Sequence, residues 1–298
     1  MRTPSFPLLL LPLATACTGK AVDTATPAED TSGDDTNSGG EDVATFGLPE
    51  GASTWAGEGQ VSGFTFPIEV TLENTGGDLA GTVTLSDPDG LLGFGTGTYT
   101  VVGTHAPESG VFAMAPVAWT VDPAVAIELL GATGTHDPDA GTLTGQLRDY
   151  ASGDENFLRG EGFTLNKLSG DGAPTPVGDG AKALPATATL SGTTRCTASE
   201  RELAGSLTHD GAGRVTATFT LGDPGLDTPL RTFEVDGAHN PTTGMIKVAP
   251  LLWVEPDHST KNFGVTGAWD PATGAWGGDV WTDVAACPPG TWAVVVDG

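Results

Sequence analysis

Histidines and carboxylates are the residues of this chain whose types could support catalysis or metal binding. Of its five histidines, His105 and His239 stand at equivalent positions of two similar stretches, each just before a turn. The chain has 38 carboxylates, too many for one pair to stand out as an acid–base dyad. It contains no G-x-S-x-G nucleophile elbow, no H-E-x-x-H zinc motif and no P-loop. These patterns favour a protein without catalytic activity, bound metal or other cofactor, in which both histidines are strand-end residues.

The tryptophans give the sharpest binding hypothesis. Trp119 and Trp253 belong to a repeated Pro-x-x-Trp element, which predicts a packed corner of the fold. Trp276 and Trp281 are five residues apart on one predicted strand, so their side chains point to opposite faces, one toward the core and one outward. An exposed indole beside acidic residues can stack on a sugar or anchor a protein partner. We therefore predict Trp269 and Trp281 as ligand-binding residues.

The three cysteines have different expected roles. Cys196 and Cys287 lie near the first and last strands predicted for the second half of the chain, and they can form a disulfide if that sheet closes. Closing a loop of about 90 residues in this way contributes roughly 4–5 kcal/mol to stability. The thiol of Cys17 is then left over, and an odd cysteine in an exported protein requires an explanation.

The N-terminal segment supplies that explanation. Arg2 is followed by an apolar run over residues 6–13 and by Ala14-Thr15-Ala16-Cys17, the layout of an export signal too short to cross a bilayer as a helix. With its cysteine directly after the cleavage position, the segment resembles a bacterial lipoprotein signal. The resemblance implies that residues 1–16 are removed and that Cys17 carries lipid. Because Thr18 follows the cysteine, it also implies anchoring in the outer membrane of a Gram-negative envelope. Ordinary signal-peptidase cleavage after Ala16 is the alternative.

Acidic residues dominate the charge of the chain. The formal net charge of −26, from 12 Lys+Arg against 38 Asp+Glu, argues against nucleic acid as a partner and against binding an anionic membrane through charge. Residues 17–46 are acidic and nearly devoid of large apolar side chains, which predicts a disordered, extended tether. Their carboxylates lack the spacing of an EF-hand loop, so a solvated spacer is favoured over a calcium site.

The rest of the chain is a tandem repeat. Pro116-Val-Ala-Trp119 recurs as Pro250-Leu-Leu-Trp253, and other matching elements keep an offset near 133–136 residues. Each copy has about 115 residues, the ordinary size of a single domain. The predicted boundaries are residues 47–167 for domain 1, 168–186 for a linker and 187–298 for domain 2.

One turn pattern occurs twice in each copy. Proline presets the first corner, a preceding Asp or Asn can cap the turn, and the closing glycine takes the left-handed conformation. The four instances are Ala106-Pro-Glu-Ser-Gly110, Asp137-Pro-Asp-Ala-Gly141, Asn240-Pro-Thr-Thr-Gly244 and Asp270-Pro-Ala-Thr-Gly274. They predict short hairpin loops.

Between these turns the apolar residues alternate, as half-buried strands require. We expect an all-β protein with about eight antiparallel strands per copy, arranged as an up-and-down barrel, with a β-sandwich as the alternative. The layout, which begins with Trp55-Ala-Gly57, is similar at fold level to lipocalin and avidin-type barrels. This similarity implies either a lumen for a small apolar ligand or a barrel filled by side chains.

These observations give one leading functional hypothesis and two others. The first is a non-enzymatic, lipid-anchored binding module for an envelope glycan, lipid or protein. The second is a structural spacer at the cell surface, and the third is an envelope hydrolase. A pocket with convergent polar groups would favour the first hypothesis, whereas filled barrel interiors and uniformly polar surfaces would favour the second.

Overall fold

In the part of the chain that the structure describes, all of the regular secondary structure is β-strand. The computed structural model describes residues 46–61, 63–127, 129–149, 162–196, 199–222, 229–253, 263–281 and 290–297. The first eight strands are β1 (Gly51–Val61), β2 (Phe64–Thr75), β3 (Asp78–Ser86), β4 (Thr96–His105), β5 (Val111–Val121), β6 (Leu130–Asp137), β7 (Thr142–Asp149) and β8 (Gly162–Ser169). The second eight are β9 (Thr187–Cys196), β10 (Ser199–His209), β11 (Arg214–Gly222), β12 (Pro229–His239), β13 (Met245–Trp253), β14 (Gly264–Asp270), β15 (Ala275–Trp281) and β16 (Gly290–Asp297).

Each set of eight strands forms a closed antiparallel barrel in sequential order. Barrel 1 closes where β1 pairs with β8, and barrel 2 closes where β16 pairs with β9. The prediction of two tandem up-and-down barrels is therefore confirmed, and the β-sandwich alternative is wrong. The physical reason is that the first and last strands of each copy complete a hydrogen-bonded ladder, which leaves neither strand as an edge.

A glycine permits close approach at each closing ladder. A Cβ atom on Gly57 of β1 would lie 2.0 Å from the carbonyl oxygen of Thr164 on β8, and one on Gly192 of β9 would lie 2.0 Å from that of Ala293 on β16. No side chain fits at either position without moving the backbone. The two glycines are equivalent in the repeat, so both barrels close in the same way.

Side chains fill the interior of barrel 1. Along β2 every second residue is buried, as the alternating pattern predicts. Trp55 and Tyr99 are among the largest fully buried side chains, and Tyr99 donates a hydrogen bond from its hydroxyl to the carbonyl of Leu130 at 3.0 Å. The residual apolar cavity has a volume of about 20 Å³, which is room for about one water molecule. The interior of this barrel is a packed core and not a ligand-binding lumen.

Aromatic rings fill the interior of barrel 2. Phe219 and Phe233 meet edge to face with ring centroids 5.6 Å apart, and Trp276 and Trp292 do so at 4.3 Å. Trp276 is fully buried, so it is the core-facing member of the predicted Trp276/Trp281 pair. Trp292 donates its indole N–H to the carbonyl of Thr266 at 3.0 Å.

The four predicted hairpin turns adopt the expected conformation. Their closing glycines have φ values of 72°, 63°, 77° and 66° at Gly110, Gly141, Gly244 and Gly274, respectively. Where Asp or Asn precedes the proline, its side-chain oxygen accepts backbone N–H groups of the turn. The repeated Pro-Gly spacing is thus a reliable local signal in this chain.

Short extended segments cover the corresponding end of each barrel. Strap 1 (residues 46–50) buries Leu48 in the core of barrel 1, and strap 2 (residues 182–186) buries Leu184 in the core of barrel 2. The side-chain amide of Asn74 donates to the carbonyls of Leu48 and Pro49 and to the hydroxyl of Thr175. The straps lie within segments that the sequence assigned partly to a tether and a linker.

Candidate functional site between the barrels

The two barrels belong to one compact unit, which spans residues 43–298. Strand β5 of barrel 1 lies against β12 and β13 of barrel 2. The outward-facing Ala113 and Ala115 of β5 are only 2% and 3% exposed, and the outward-facing Ala249 of β13 is 2% exposed. Because these side chains are small, the outer surfaces of the two sheets approach closely. The junction is therefore formed by well-packed strand faces in addition to hairpin tips.

Hairpin contacts also hold the barrels together. The amide of Asn240, in the β12–β13 turn, donates to the carbonyl of Gly76 in the β2–β3 turn at 3.0 Å. The hydroxyl of Ser109, in the β4–β5 turn, donates to the carbonyl of Ala212 in the β10–β11 turn. Both contacts join main chain of one barrel to a side chain of the other, and they fix the relative register of the two ends.

A buried carboxylate with two arginines occupies the centre of the junction. The guanidinium of Arg148, near the end of β7, donates to Asp236 of β12 at 3.0 Å, and that of Arg214, at the start of β11, donates to the same oxygen at 3.1 Å. Arg148 also donates through Nε to the hydroxyl of Thr133 at 3.1 Å. Asp236 is 2% exposed, while the side chain of Arg214 is 54% exposed. Arg148 therefore supplies the buried partner, and Arg214 extends from the carboxylate toward solvent.

These charged groups line a polar groove of about 290 Å³ between the barrels. The hydroxyls of Thr135 and Thr144 lie 3.4 Å apart on one wall, and the exposed amide of Gln146 follows on the same strand as Thr144. The lining contains two arginines and one aspartate and so carries a net charge of +1, although the whole chain carries −26. The described lining residues are Val111, Phe112, Thr133, Gly134, Thr135, Thr144, Gly145, Gln146, Arg148, Arg214, Asp236 and Gly237.

A second polar groove of about 290 Å³ lies on barrel 2 next to the first. It uses the same strands, β11 and β12, at the outward positions that follow Arg214 and precede Asp236 along those strands. In the strand register Thr216 lies opposite Asp236, and Thr218 lies opposite Glu234. The described lining residues are Ser206, Thr208, Thr216, Ala217, Thr218, Glu234 and Val235. Hydroxyl groups thus continue from the junction along the outer face of barrel 2.

A buried lysine adds a further cation to the junction. Lys247 of β13 is 7% exposed and donates from Nζ to the hydroxyl of Thr266 at 2.8 Å. Burial lowers the pKa of its ammonium group to about 8, against the opposing effect of the carboxylates of Asp78 and Asp279. Asp78 lies on barrel 1, and burial raises the pKa of its carboxyl group. The charges of Lys247 and Asp78 attract each other across the junction, and the buried Lys247 is not open to a ligand.

The two histidines at equivalent repeat positions are buried at the strap ends. His105 ends β4, and its Nε2 accepts the backbone N–H of Leu48 at 3.1 Å. His239 ends β12 and packs edge to face on His209 at 5.2 Å, and the backbone of Lys182 in strap 2 opposes the effect of burial on its pKa. Burial lowers the pKa of His105 to about 4 and that of His239 to about 3. Both rings are therefore neutral at neutral pH and sit inside the fold.

Of the two predicted ligand-binding tryptophans, the structure describes the side chain of Trp269 only. Trp269 ends β14, is 6% exposed, and donates its indole N–H to the carbonyl of Ala183 in strap 2 at 3.3 Å. Little of its ring surface is open for stacking in this arrangement. Trp281 ends β15, and its side chain lies outside the described residues. Trp269 is not among the described residues that line the groove, and the role of Trp281 stays a prediction.

The predicted cysteine roles stay predictions. Cys17 and Cys287 lie outside the described residues, as does the side chain of Cys196 at the end of β9. The closing of barrel 2 places β9 beside β16, which is the neighbour relation that the predicted disulfide requires. The predicted signal segment also lies outside the described residues.

No protein-family model matches the chain, and no curated protein sequence matches it significantly. Across the described residues there is no helix long and apolar enough to cross a membrane. In the same part of the chain, no group of three or more His, Cys, Asp or Glu side chains could hold a metal ion. The groove between the barrels is therefore the candidate site, on the strength of its own geometry.

Sequence reasoning did not identify the groove residues. Arg148, Arg214 and Asp236 are far apart in the chain, and no local motif joins them. The available signal was the scarcity of cations: the chain has 12 Lys+Arg, and Arg148, Arg214 and Lys247 all lie at the junction.

Proposed function

We propose that this protein is a lipid-anchored component of the bacterial outer membrane that acts as a non-enzymatic binding module for an envelope glycan, lipid or protein. The observation that carries the proposal is the groove at the junction, where guanidinium, hydroxyl and amide groups converge on an open polar surface. Ligand sites combine such convergent polar groups with a concave shape. Since side chains fill the interior of barrel 1 and aromatic rings pack together inside barrel 2, we place binding on the outside of the barrels.

The anchoring part of the proposal rests on the N-terminal segment. Cys17 follows the small residues at which an export signal is cut, and a lipidated Cys17 would hold the acidic tether and both barrels at the membrane. A single acyl chain gives only marginal binding, so stable anchoring needs more than one chain. The test is fractionation of a Gram-negative host that expresses the full chain or its Cys17→Ala variant. We expect the parent in the membrane fraction and the variant in the soluble fraction, and membrane association of both would contradict the proposal.

The binding part is tested by a thermal-shift panel on the purified full chain. The panel contains neutral and acidic glycans, fatty acids, lipid A and divalent cations. A ligand that binds only the folded state stabilises it by about 2.7 kcal/mol at 100 times its Kd, which raises the melting temperature. A reproducible shift that is lost in Arg214→Gln supports binding at the groove, and one lost in Trp281→Ala locates the site at that tryptophan instead.

A structural spacer is the second candidate function. The observation in its favour is the packing of the barrel interiors by Trp55, Tyr99, Phe219 and Trp276, together with the straps that cover the barrel ends. A rigid pair of filled barrels needs no ligand in order to hold a distance from the membrane. Absence of any shift across the panel, from a protein that melts cooperatively, would favour this function over the binding module.

A further inference from the structure

We infer that the groove between the barrels binds an acidic oligosaccharide, with a carboxylate or phosphate group of the sugar at Arg214 and sugar hydroxyls along β11 and β12. This inference rests on the proposed binding function and specifies its ligand. Four observations carry it: the charge of the groove, the exposure of one arginine, the hydroxyl lining and the continuation of the groove along barrel 2.

The charge of the lining favours an anion. Asp236 neutralises one guanidinium, and the second leaves the lining at a net +1. Arg148 is 8% exposed, so the accessible positive group is Arg214. Its hydrogen bond to Asp236 uses one terminal nitrogen, while a guanidinium carries five N–H donors in a planar fork. The other terminal nitrogen of Arg214 and its Nε can donate two parallel hydrogen bonds to the two oxygens of a carboxylate or phosphate.

The carboxylate of Asp236 holds the guanidinium of Arg214 in position before an anion binds. Because the aspartate is buried and the same oxygen also accepts from Arg148, it fixes the end of an arginine side chain that would otherwise sample many rotamers. A side chain ordered in advance loses less conformational entropy on binding. The anion therefore meets a positioned guanidinium at the open side of a buried ion pair.

The rest of the lining favours a sugar over an acidic peptide. Thr135 and Thr144 on barrel 1, and Thr208, Thr216 and Thr218 on barrel 2, present hydroxyls that both donate and accept hydrogen bonds. Sugar hydroxyls have the same dual capacity. Within the described lining there is no deep apolar pocket that would hold a peptide side chain, and Phe112 is buried in the core of barrel 1.

The two grooves together favour an extended ligand. Each has a volume of about 290 Å³ and both use β11 and β12. A single groove is near the lower size limit of ligand sites, so a chain of several sugar units would use the pair. Glu234 in the second groove places a carboxylate where a neutral sugar unit can donate hydrogen bonds to it. The expected ligand thus carries its acid group on the unit nearest Arg214.

The test is isothermal titration calorimetry on the purified full chain with four matched probes. They are a tetragalacturonate, a neutral tetrasaccharide of the same length, a phosphate-bearing tetrasaccharide and a tetraglutamate peptide. The variants are Arg214→Gln, Arg214→Lys and the control Arg195→Gln, since Arg195 is exposed on β9, a strand outside both grooves. Far-ultraviolet circular dichroism melting shows that each variant is folded.

We expect an acidic tetrasaccharide to bind at least tenfold more tightly than the neutral one. Arg214→Gln should weaken that binding by tenfold or more, because a charge-assisted pair is lost. Arg214→Lys should show an intermediate loss, since it keeps the charge without the planar fork, and Arg195→Gln should bind as the parent does. The tetragalacturonate and the phosphate-bearing probe distinguish a carboxylate from a phosphate as the acid group.

Four results would overturn the inference. Equal binding of the neutral tetrasaccharide, or unchanged binding in Arg214→Gln, would exclude an acidic sugar at Arg214 but leave the proposed binding function standing if another ligand of the thermal-shift panel binds. Equal or tighter binding of tetraglutamate would assign the groove to an acidic peptide. Failure of every probe here, with no shift in the panel, would remove the inference and the proposed function together.

Discussion

His105 and His239 make the stability of the barrels depend on pH. Their pKa values of about 4 and about 3 in the folded state lie below the value near 6.5 of an unfolded chain. At a pH between the folded and unfolded pKa values, the histidines take up protons in the unfolded state but not in the folded state. The free energy of unfolding is therefore unaffected above pH 6.5 and falls as the pH drops below it, by up to about 1.4 kcal/mol per pH unit for each histidine.

Replacing one of these rings should reduce that dependence. In His239→Leu we expect a pH slope of the free energy of unfolding between pH 6.5 and 5 that is smaller by about 1 kcal/mol per unit. Stability at pH 7.5 should stay within about 1.5 kcal/mol of the parent, because an apolar side chain of similar size replaces a neutral buried ring. Urea unfolding at pH 7.5, 6.5, 5.5 and 5 measures the slope. The half-buried carboxyl groups of Asp78 and Glu108, whose pKa values burial raises, are present in both proteins. If the free energy of unfolding had the same pH slope in His239→Leu and in the parent, the pH dependence could not be assigned to His239.

At the scale of elements, the straps close the barrel ends through one leucine each. Leu48 is 1% exposed within the core of barrel 1, and truncating it leaves a cavity under strap 1. We expect Leu48→Ala to lower the free energy of unfolding by about 2–5 kcal/mol. Leu91→Ala is the matched control, because Leu91 is 71% exposed and its truncation should change stability by less than about 0.5 kcal/mol. Denaturant titration gives both values, and equal effects would mean that strap 1 does not seal the core.

The regular elements could be predicted from the sequence because their signals are local. Alternation along β2 and the Pro-Gly turns depend on neighbouring residues, and the repeat supplies each signal twice. The straps are short, contain proline and lack alternation, so strap 2 fell in the predicted linker and strap 1 at the predicted boundary between the tether and domain 1. The repeat does indicate the two straps, since Leu48-Pro49 recurs as Leu184-Pro185. The groove had no local signal, because its walls come from strands of different barrels.

At the scale of the whole molecule, the duplication produced two barrels with similar folds and different outer surfaces. The faces that meet at the junction are unlike: small alanines on β5 lie against a β13 face that contains Lys247. Arg148 of barrel 1 pairs with Asp236 of barrel 2, so the buried guanidinium of one barrel has its carboxylate partner on the other. The junction therefore makes the two copies one folding unit and creates a groove that neither barrel has alone.

This coupling predicts a single thermal transition for both barrels. In Arg148→Ala, Asp236 stays buried and keeps only the half-exposed Arg214, so we expect a loss of about 2–3 kcal/mol, less than the 3–5 kcal/mol for a fully broken buried pair. For a protein of this size that loss lowers Tm by about 5–10 °C, and weaker coupling should separate the barrels into two transitions. Differential scanning calorimetry measures both effects.

Arg214→Gln is the matched control for this prediction. It removes the half-exposed partner of the same carboxylate, and an exposed pair contributes about 0–1 kcal/mol. We therefore expect one transition with a Tm within about 4 °C of the parent. Two transitions in the parent would show that the barrels fold independently, and a normal Tm in Arg148→Ala would show that apolar packing alone holds the junction. The two arginines thus separate stability from binding, because Arg148 holds the barrels together while Arg214 presents the open guanidinium.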